Sequence, residues 1–143
     1  MVAGDDLERF VTAQEPVYAQ VLAELQRGRK TSHWMWFIFP QIAGLGHSAM
    51  SERYAIRSLA EAQAYLAHPL LAARLRECAG LVLEITDRTA EEVFGPIDAR
   101  KLRSCMTLFH RAVPTDPLFR RVLDEWFGGM PDDKTDLLLG RLS

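Results

Sequence analysis

The spacing of apolar positions along the chain is helical almost throughout. Val17, Val21 and Leu25 recur at i, i+4 and i+8, and Gly28 is placed to end that helix. Ahead of it, Leu7, Phe10 and Val11 make a short apolar face behind Asp5 and Asp6, which can cap a first helix that falters before Pro16. Pro16 suits the first turn of the second helix. Ser58 with Glu61 has the form of a capping box, with Leu59, Ala62 and Leu66 inward and His68-Pro69 as the stop. The clearest amphipathic stripe follows in Leu71, Leu75, Cys78, Val82 and Ile85.

Thr89 with Glu92 repeats the capping-box pattern for a brief helix, Ala90 to Phe94, closed by Gly95-Pro96. A longer helix from about Asp98 to Ala112 turns Leu102, Cys105, Met106 and Phe109 inward and leaves Lys101 and Ser104 together on another face. Asp116-Pro117 starts a helix with the stripe Leu118, Val122 and Trp126 that Gly128-Gly129 stops, and a last helix spans about Asp133 to Leu142. No segment alternates with period two and no Asn-Gly turn marks a hairpin. The pattern therefore predicts an all-α fold, an array of seven to nine short helices without a sheet, forming one domain over residues 1–143.

One segment, Arg27 to Ser48, departs from this scaffold pattern. It gathers Arg27, Arg29 and Lys30, two of the three Trp, and His33 and His47. If Ser32 caps a short helix up to Phe39, then His33, Trp36 and Phe37 share one side and Trp34 and Ile38 another, so most of the rings are expected in the core. One of Trp34 and Trp36 is expected to line a pocket and stack on a planar ligand or a cation. Gly44 and Gly46 lead to Ser48 and a helix expected over Ala49 to Arg57, a geometry that favours anions, although it matches neither phosphate-binding glycine motif and Ser48 can serve as an N-cap.

His33 and His47 are candidates for acid and base because imidazole titrates near neutrality. Arg53 and Tyr54 beyond the glycine loop, and the pair Lys101 and Ser104, can complete a polar pocket. The carboxylates Glu8, Glu24, Glu61, Glu91 and Glu92 fall at helix-surface or capping positions, and no HxxxH or HExxH occurs, so neither a metal site nor a cofactor is expected. Cys78 and Cys105 lie inside helical patterns as buried free thiols.

Composition narrows the partners. Seventeen basic against 19 acidic residues give a net charge of −2, which lacks the basic excess of a nucleic-acid binder. The longest apolar run, Trp34 to Pro40, is far short of the roughly 20 residues that span a bilayer, and the acidic N-terminus does not resemble a signal peptide. A soluble, cytoplasmic protein is expected, with no membrane partner.

The run Lys30 to Gln41, KTSHWMWFIFPQ, resembles the bacterial family known as domain of unknown function 1810. So do Gly44-Leu-Gly46, Tyr54-Ala-Ile56, Glu61-Ala62, Tyr65-Leu66, His68-Pro69, Phe94-Gly95 and Ser104-Cys-Met-Thr-Leu-Phe109. The resemblance covers nearly the whole chain and implies a compact, mainly helical fold, with no activity or catalytic residue to carry over. The family pattern has Ser where this chain has Cys105, which speaks against a catalytic thiol. Some members bear the name calpastatin, but such inhibition is expected of extended, disordered repeats, and this chain is patterned to fold.

The residues thus point to a small-molecule binding protein or an enzyme with an aromatic-walled, partly basic pocket for an anionic or nucleotide-like ligand. In this reading Trp34 or Trp36 stacks, Lys30 and the Gly44 to Ser48 loop hold the anion, and His33 or His47 moves a proton. The alternative is a protein-interaction module that offers Trp34 to Phe39 as aromatic anchors.

Overall fold

The computed structural model describes residues 3–142, with side chains described from 7 to 140. Among them are nine helices: α1 (Ala3–Gln14), α2 (Tyr18–Arg27), α3 (Met35–Ile38), α4 (Ala49–Arg53), α5 (Leu59–Ala67), α6 (Pro69–Glu84), α7 (Ala90–Ala112), α8 (Pro117–Phe127) and α9 (Asp133–Leu142). The described residues form no strand, only an isolated parallel bridge between Ile42 and Ile56, so the fold is all-α. None of these helices is long and apolar enough to cross a membrane.

Local chemistry sets the helix ends. Thr89 Oγ1 accepts the Glu92 N–H while Glu92 returns to the Thr89 N–H, a complete capping box. Ser58 accepts from the Glu61 N–H, but Glu61 reaches one residue further back, to the Arg57 N–H. Asp116 with Pro117 starts α8, and His68 does more than stop α5: its Nδ1 accepts the Leu71 N–H and caps α6 ahead of Pro69. Gly28 ends α2 at φ 75°, and Gly95, at φ 81° and ψ 160°, divides α7 into two arms. The caps expected of Asp5 and Asp6 lie outside the described side chains, and α1 already begins at Ala3.

One cluster of buried residues joins the helices. Its centre is a run of rings: Phe10 to Tyr65 at 5.2 Å, Tyr65 to Phe109 at 5.2 Å, and Phe109 to Phe119 at 5.8 Å, which ties α1, α5, α7 and α8 together. Some inward faces differ from the expected stripes. Phe119 and Leu123 are buried beside Val122, whereas Leu118 and Trp126 are only half-buried. Gln14 is buried with its amide fully used, donating to the Phe37 carbonyl and Tyr65 and accepting from Arg74. Both cysteines are buried free thiols; burial pushes the Cys78 thiol up to about 12 and raises Cys105 as well.

Candidate functional site

The segment singled out in the sequence divides into a sealed half and an open half. In the sealed half, Glu24 of α2 is fully buried, not at a surface or capping position as expected. Its carboxylate accepts five hydrogen bonds, from Gln20, the N–H groups of Thr31 and Ser32, the Ser32 hydroxyl, and the Trp34 indole at 3.0 Å. Burial alone would raise this carboxyl, but the bonds from Ser32, Gln20 and Thr31 outweigh it and bring it down to about 2. Ser32 is therefore spent on Glu24 and caps nothing; α3 begins at Met35 behind Trp34, with no side-chain cap.

Lys30 and Trp34, both expected at the ligand, belong to this sealed half. Trp34 is 1% exposed. The Lys30 ammonium sits over its ring at 5.0 Å, donates to the Ser32 carbonyl and pairs with Asp98 at 2.8 Å. The distant Asp98 on α7 thus consumes a charge that the sequence offered to a ligand.

The open half starts at Trp36. Gln41 and Ile56 are tied by backbone hydrogen bonds, Ile56 N–H to the Gln41 carbonyl and Ala43 N–H to the Ile56 carbonyl, each 2.8 Å. From α1, Arg9 donates to the carbonyls of Arg53 and Ala55 and to Glu61, holding the return limb against the helices. The excursion encloses a cleft of about 260 Å³ lined by Trp36, Gln41, Gly44, Gly46, His47 and Tyr54, among others. Tyr54 forms its inner wall, its ring packed on Phe37 at 5.4 Å.

A second cleft, about 310 Å³, lies beyond Gly46 and Ser51, bounded by α7 and the start of α9. Arg100, Lys101 and Lys134 line it with Asp132, Ile97 and Leu45. Gln41, Gly46 and Ser51 line both clefts and form the partition between them. The partition is tight: a Cβ on Gly46 would lie 2.5 Å from Ser51 Oγ and 2.7 Å from Ser51 Cβ.

Lys101 connects the two halves of the site. Its ammonium lies over the Trp36 ring at 5.0 Å and 3.6 Å from Asp98, while its side chain borders the second cleft. Arg100 and Lys134 have no ion-pair or hydrogen-bond partner among the described residues. With Asp98 shared by Lys30 and Lys101, and Asp132 engaged at the start of α9 by Thr135 N–H and Oγ1, the second cleft carries excess positive charge.

The structure thus brings together Trp36, Gly44, Gly46, His47 and Tyr54 at the first cleft and Gly46, Lys101 and Ser104 at the second. Ser104 is nearly fully buried and hydrogen-bonded to Thr135 at 2.8 Å, so it is floor, not an exposed partner of Lys101. Ser48 is the N-cap of α4 through the Ser51 N–H, and Arg53 stacks on Tyr54 at 5.4 Å; neither borders a cleft. Exposed His33 also lies outside both.

The expected Ala49 to Arg57 helix is the single turn α4, too short for a macrodipole of any strength, so anion binding at its N-terminus loses its basis. The positive charge resides instead in Arg100 and Lys134, which sequence reasoning missed along with Gln41. Spacing gave no signal for them, since Lys134 and Arg100 meet only through the packing of α9 on α7. Among the described residues no cluster of His, Cys, Asp or Glu is placed to hold a metal ion.

A family model described as "Protein of unknown function (DUF1810)" matches residues 4–139. Among solved structures, that of a conserved hypothetical protein, Rv1873, from Mycobacterium tuberculosis is similar, with 54% sequence identity, a TM-score of 0.93 and coverage of 94% of this chain and 96% of that one. No curated protein matches.

Proposed function

We propose that this chain, which belongs to the DUF1810 family of proteins of unknown function, binds an anionic small molecule with a planar part, of nucleotide-like size and character. The observation that carries the reading is the junction of two unlike clefts across Gly46 and Ser51. A half-buried indole and a tyrosine wall one compartment, and three cations line the other. The planar part would lie against Trp36, whose ring already holds the Lys101 ammonium. The anion would sit between Arg100, Lys101 and Lys134.

If the site also performs chemistry, His47 is the group to test, because it is the imidazole at the first cleft. The interaction-module reading draws less support. Trp34, Phe37, Ile38 and Phe39 are buried in the chain's own core and cannot act as anchors for a partner.

Thermal shift and calorimetry with adenosine 5′-monophosphate, ribose 5-phosphate and inorganic phosphate test the proposal. A ligand at 100 times its Kd should stabilise the fold by roughly 2.7 kcal/mol. Lys101→Ala and Trp36→Ala should lose that response while still folding, and affinity should fall with added salt. Absence of any shift across the three probes at millimolar concentration would sink the reading.

A further inference from the structure

Gln41 is set apart by where it stands and by what it lacks. Three residues border both clefts: Gln41, Gly46 and Ser51. Gly46 has no side chain, and the Ser51 hydroxyl accepts a hydrogen bond from Ser48 at 2.9 Å. That leaves the Gln41 carboxamide, with two N–H donors and a carbonyl acceptor, as the polar group of the partition with no partner among the described residues.

The backbone beneath that amide is fixed. The Gln41 carbonyl accepts the Ile56 N–H at 2.8 Å, Pro40 before it and Ile42 after it are buried, and Ile42 bridges Ile56. Of the other glutamines, Gln26 is exposed on α2 and borders neither cleft. Gln14, Gln20 and Gln63 each donate to a protein acceptor. A half-buried glutamine on a fixed backbone, with its carboxamide unbonded within the fold at the mouth between two compartments, has its donors and acceptor free for a ligand.

We propose that Gln41 is the specificity determinant of the site and that it selects an aminopurine nucleotide. This inference rests on the nucleotide-like reading above. With the ring against Trp36 and the phosphate at Arg100, Lys101 and Lys134, the edge of the base faces the partition. A carboxamide donates and accepts side by side, which matches the adjacent amino donor and ring-nitrogen acceptor of adenine in a bidentate pair. That pair uses adenine N6–H and N7; on the matching O6/N7 edge a 6-oxopurine presents two acceptors and loses one of the two bonds. A sugar phosphate without a base takes only the cationic compartment.

Calorimetry with adenosine 5′-monophosphate, inosine 5′-monophosphate and ribose 5-phosphate, on the wild type and on Gln41→Ala, tests this. Adenosine 5′-monophosphate should bind about tenfold more tightly than inosine 5′-monophosphate, the factor that roughly 1.4 kcal/mol carries. Gln41→Ala should erase the difference while leaving ribose 5-phosphate affinity and the melting temperature unchanged, since the amide bonds nothing within the fold. Equal affinity for the two nucleotides in the wild type, or a preference that survives in Gln41→Ala, would overturn the role of Gln41 while leaving the nucleotide-like reading in place. Failure of all three probes to bind would overturn both.

Discussion

Trp34 and Trp36 are two residues apart and have opposite surroundings. Trp34 is 1% exposed, its indole N–H donated to Glu24 and its face covered by Lys30. Trp36 is half-buried at the edge of a cleft, with Lys101 over its ring. Each tryptophan carries a lysine, but only one of the two lysines is sealed: Lys30 pairs with Asp98 at 2.8 Å, whereas Lys101 reaches the same carboxylate at only 3.6 Å and faces a cleft. The contrast teaches that an aromatic-basic cluster becomes structural or available according to whether a buried acceptor claims it. Here Glu24 claims the Trp34 indole and Asp98 the Lys30 ammonium.

The largest effect is expected from Glu24→Ala. It would strand the buried Trp34 indole and remove the acceptor of two part-buried backbone N–H groups and of the Ser32 hydroxyl, at a cost of about 4 kcal/mol. For a chain of this length that corresponds to a fall of roughly 10 °C in a circular-dichroism melt, and a fall under about 3 °C would show that the hub is not what seals Trp34.

Acid probes the same group. With its folded carboxyl at about 2 against an ordinary 4.5, Glu24 favours the folded state by about 3 kcal/mol above pH 4.5, a contribution lost as the pH drops towards 2. The stability gap between wild type and Glu24→Gln, measured by urea titration across that window, should shrink as the pH falls.

Gly46→Ala sharpens the open side. The added methyl meets Ser51 at under 3 Å, for a loss of about 2 kcal/mol. Adding Ser51→Gly should recover most of it in a double-mutant cycle. Trp36→Ala should cost less, about 1 kcal/mol, because the ring is only half-buried, yet it should abolish the ligand response that a conservative change at Trp34 leaves intact.

The smallest effect is expected at His110, outside both regions. Its Nδ1 is buried without a partner, and burial, then Arg111 and Arg120, hold its pKa below the usual 6.5. The folded state therefore prefers the neutral ring, a preference that contributes above pH 6.5 and is lost as the pH falls. His110→Asn should show a flatter stability profile below pH 6.5.

The scaffold was legible because its signals are local. The Thr89/Glu92 box, the Asp116-Pro117 start and the Gly28 and Gly128 stops each act within a turn of the residue that carries them. The placement of Trp36, Gly44, Gly46, His47 and Tyr54 around one cleft followed from sequence crowding. What escaped depends on contacts far along the chain. The capture of Lys30 by Asp98, the convergence of Arg100 with Lys134, and the burial of Ser104 against Thr135 all arise when α7 and α9 pack. Glu24 was misplaced for a related reason: a carboxylate on an amphipathic helix looks solvated until the segment that donates to it is folded over it.

The bridge between Ile42 and Ile56 has a consequence for how such a protein can diversify. Residues 43–55 are closed at their base by this bridge, and their return limb is held by Arg9 and by the buried Tyr54, so the entropic cost of closing the loop is met at its base and return limb and not at its tip. Changes in length or sequence near His47 and Ser48 would then alter the depth and chemistry of the rim without reaching Trp34 or the ring stack. A chain built this way can acquire a new ligand by editing the few exposed residues around His47, at little risk to folding.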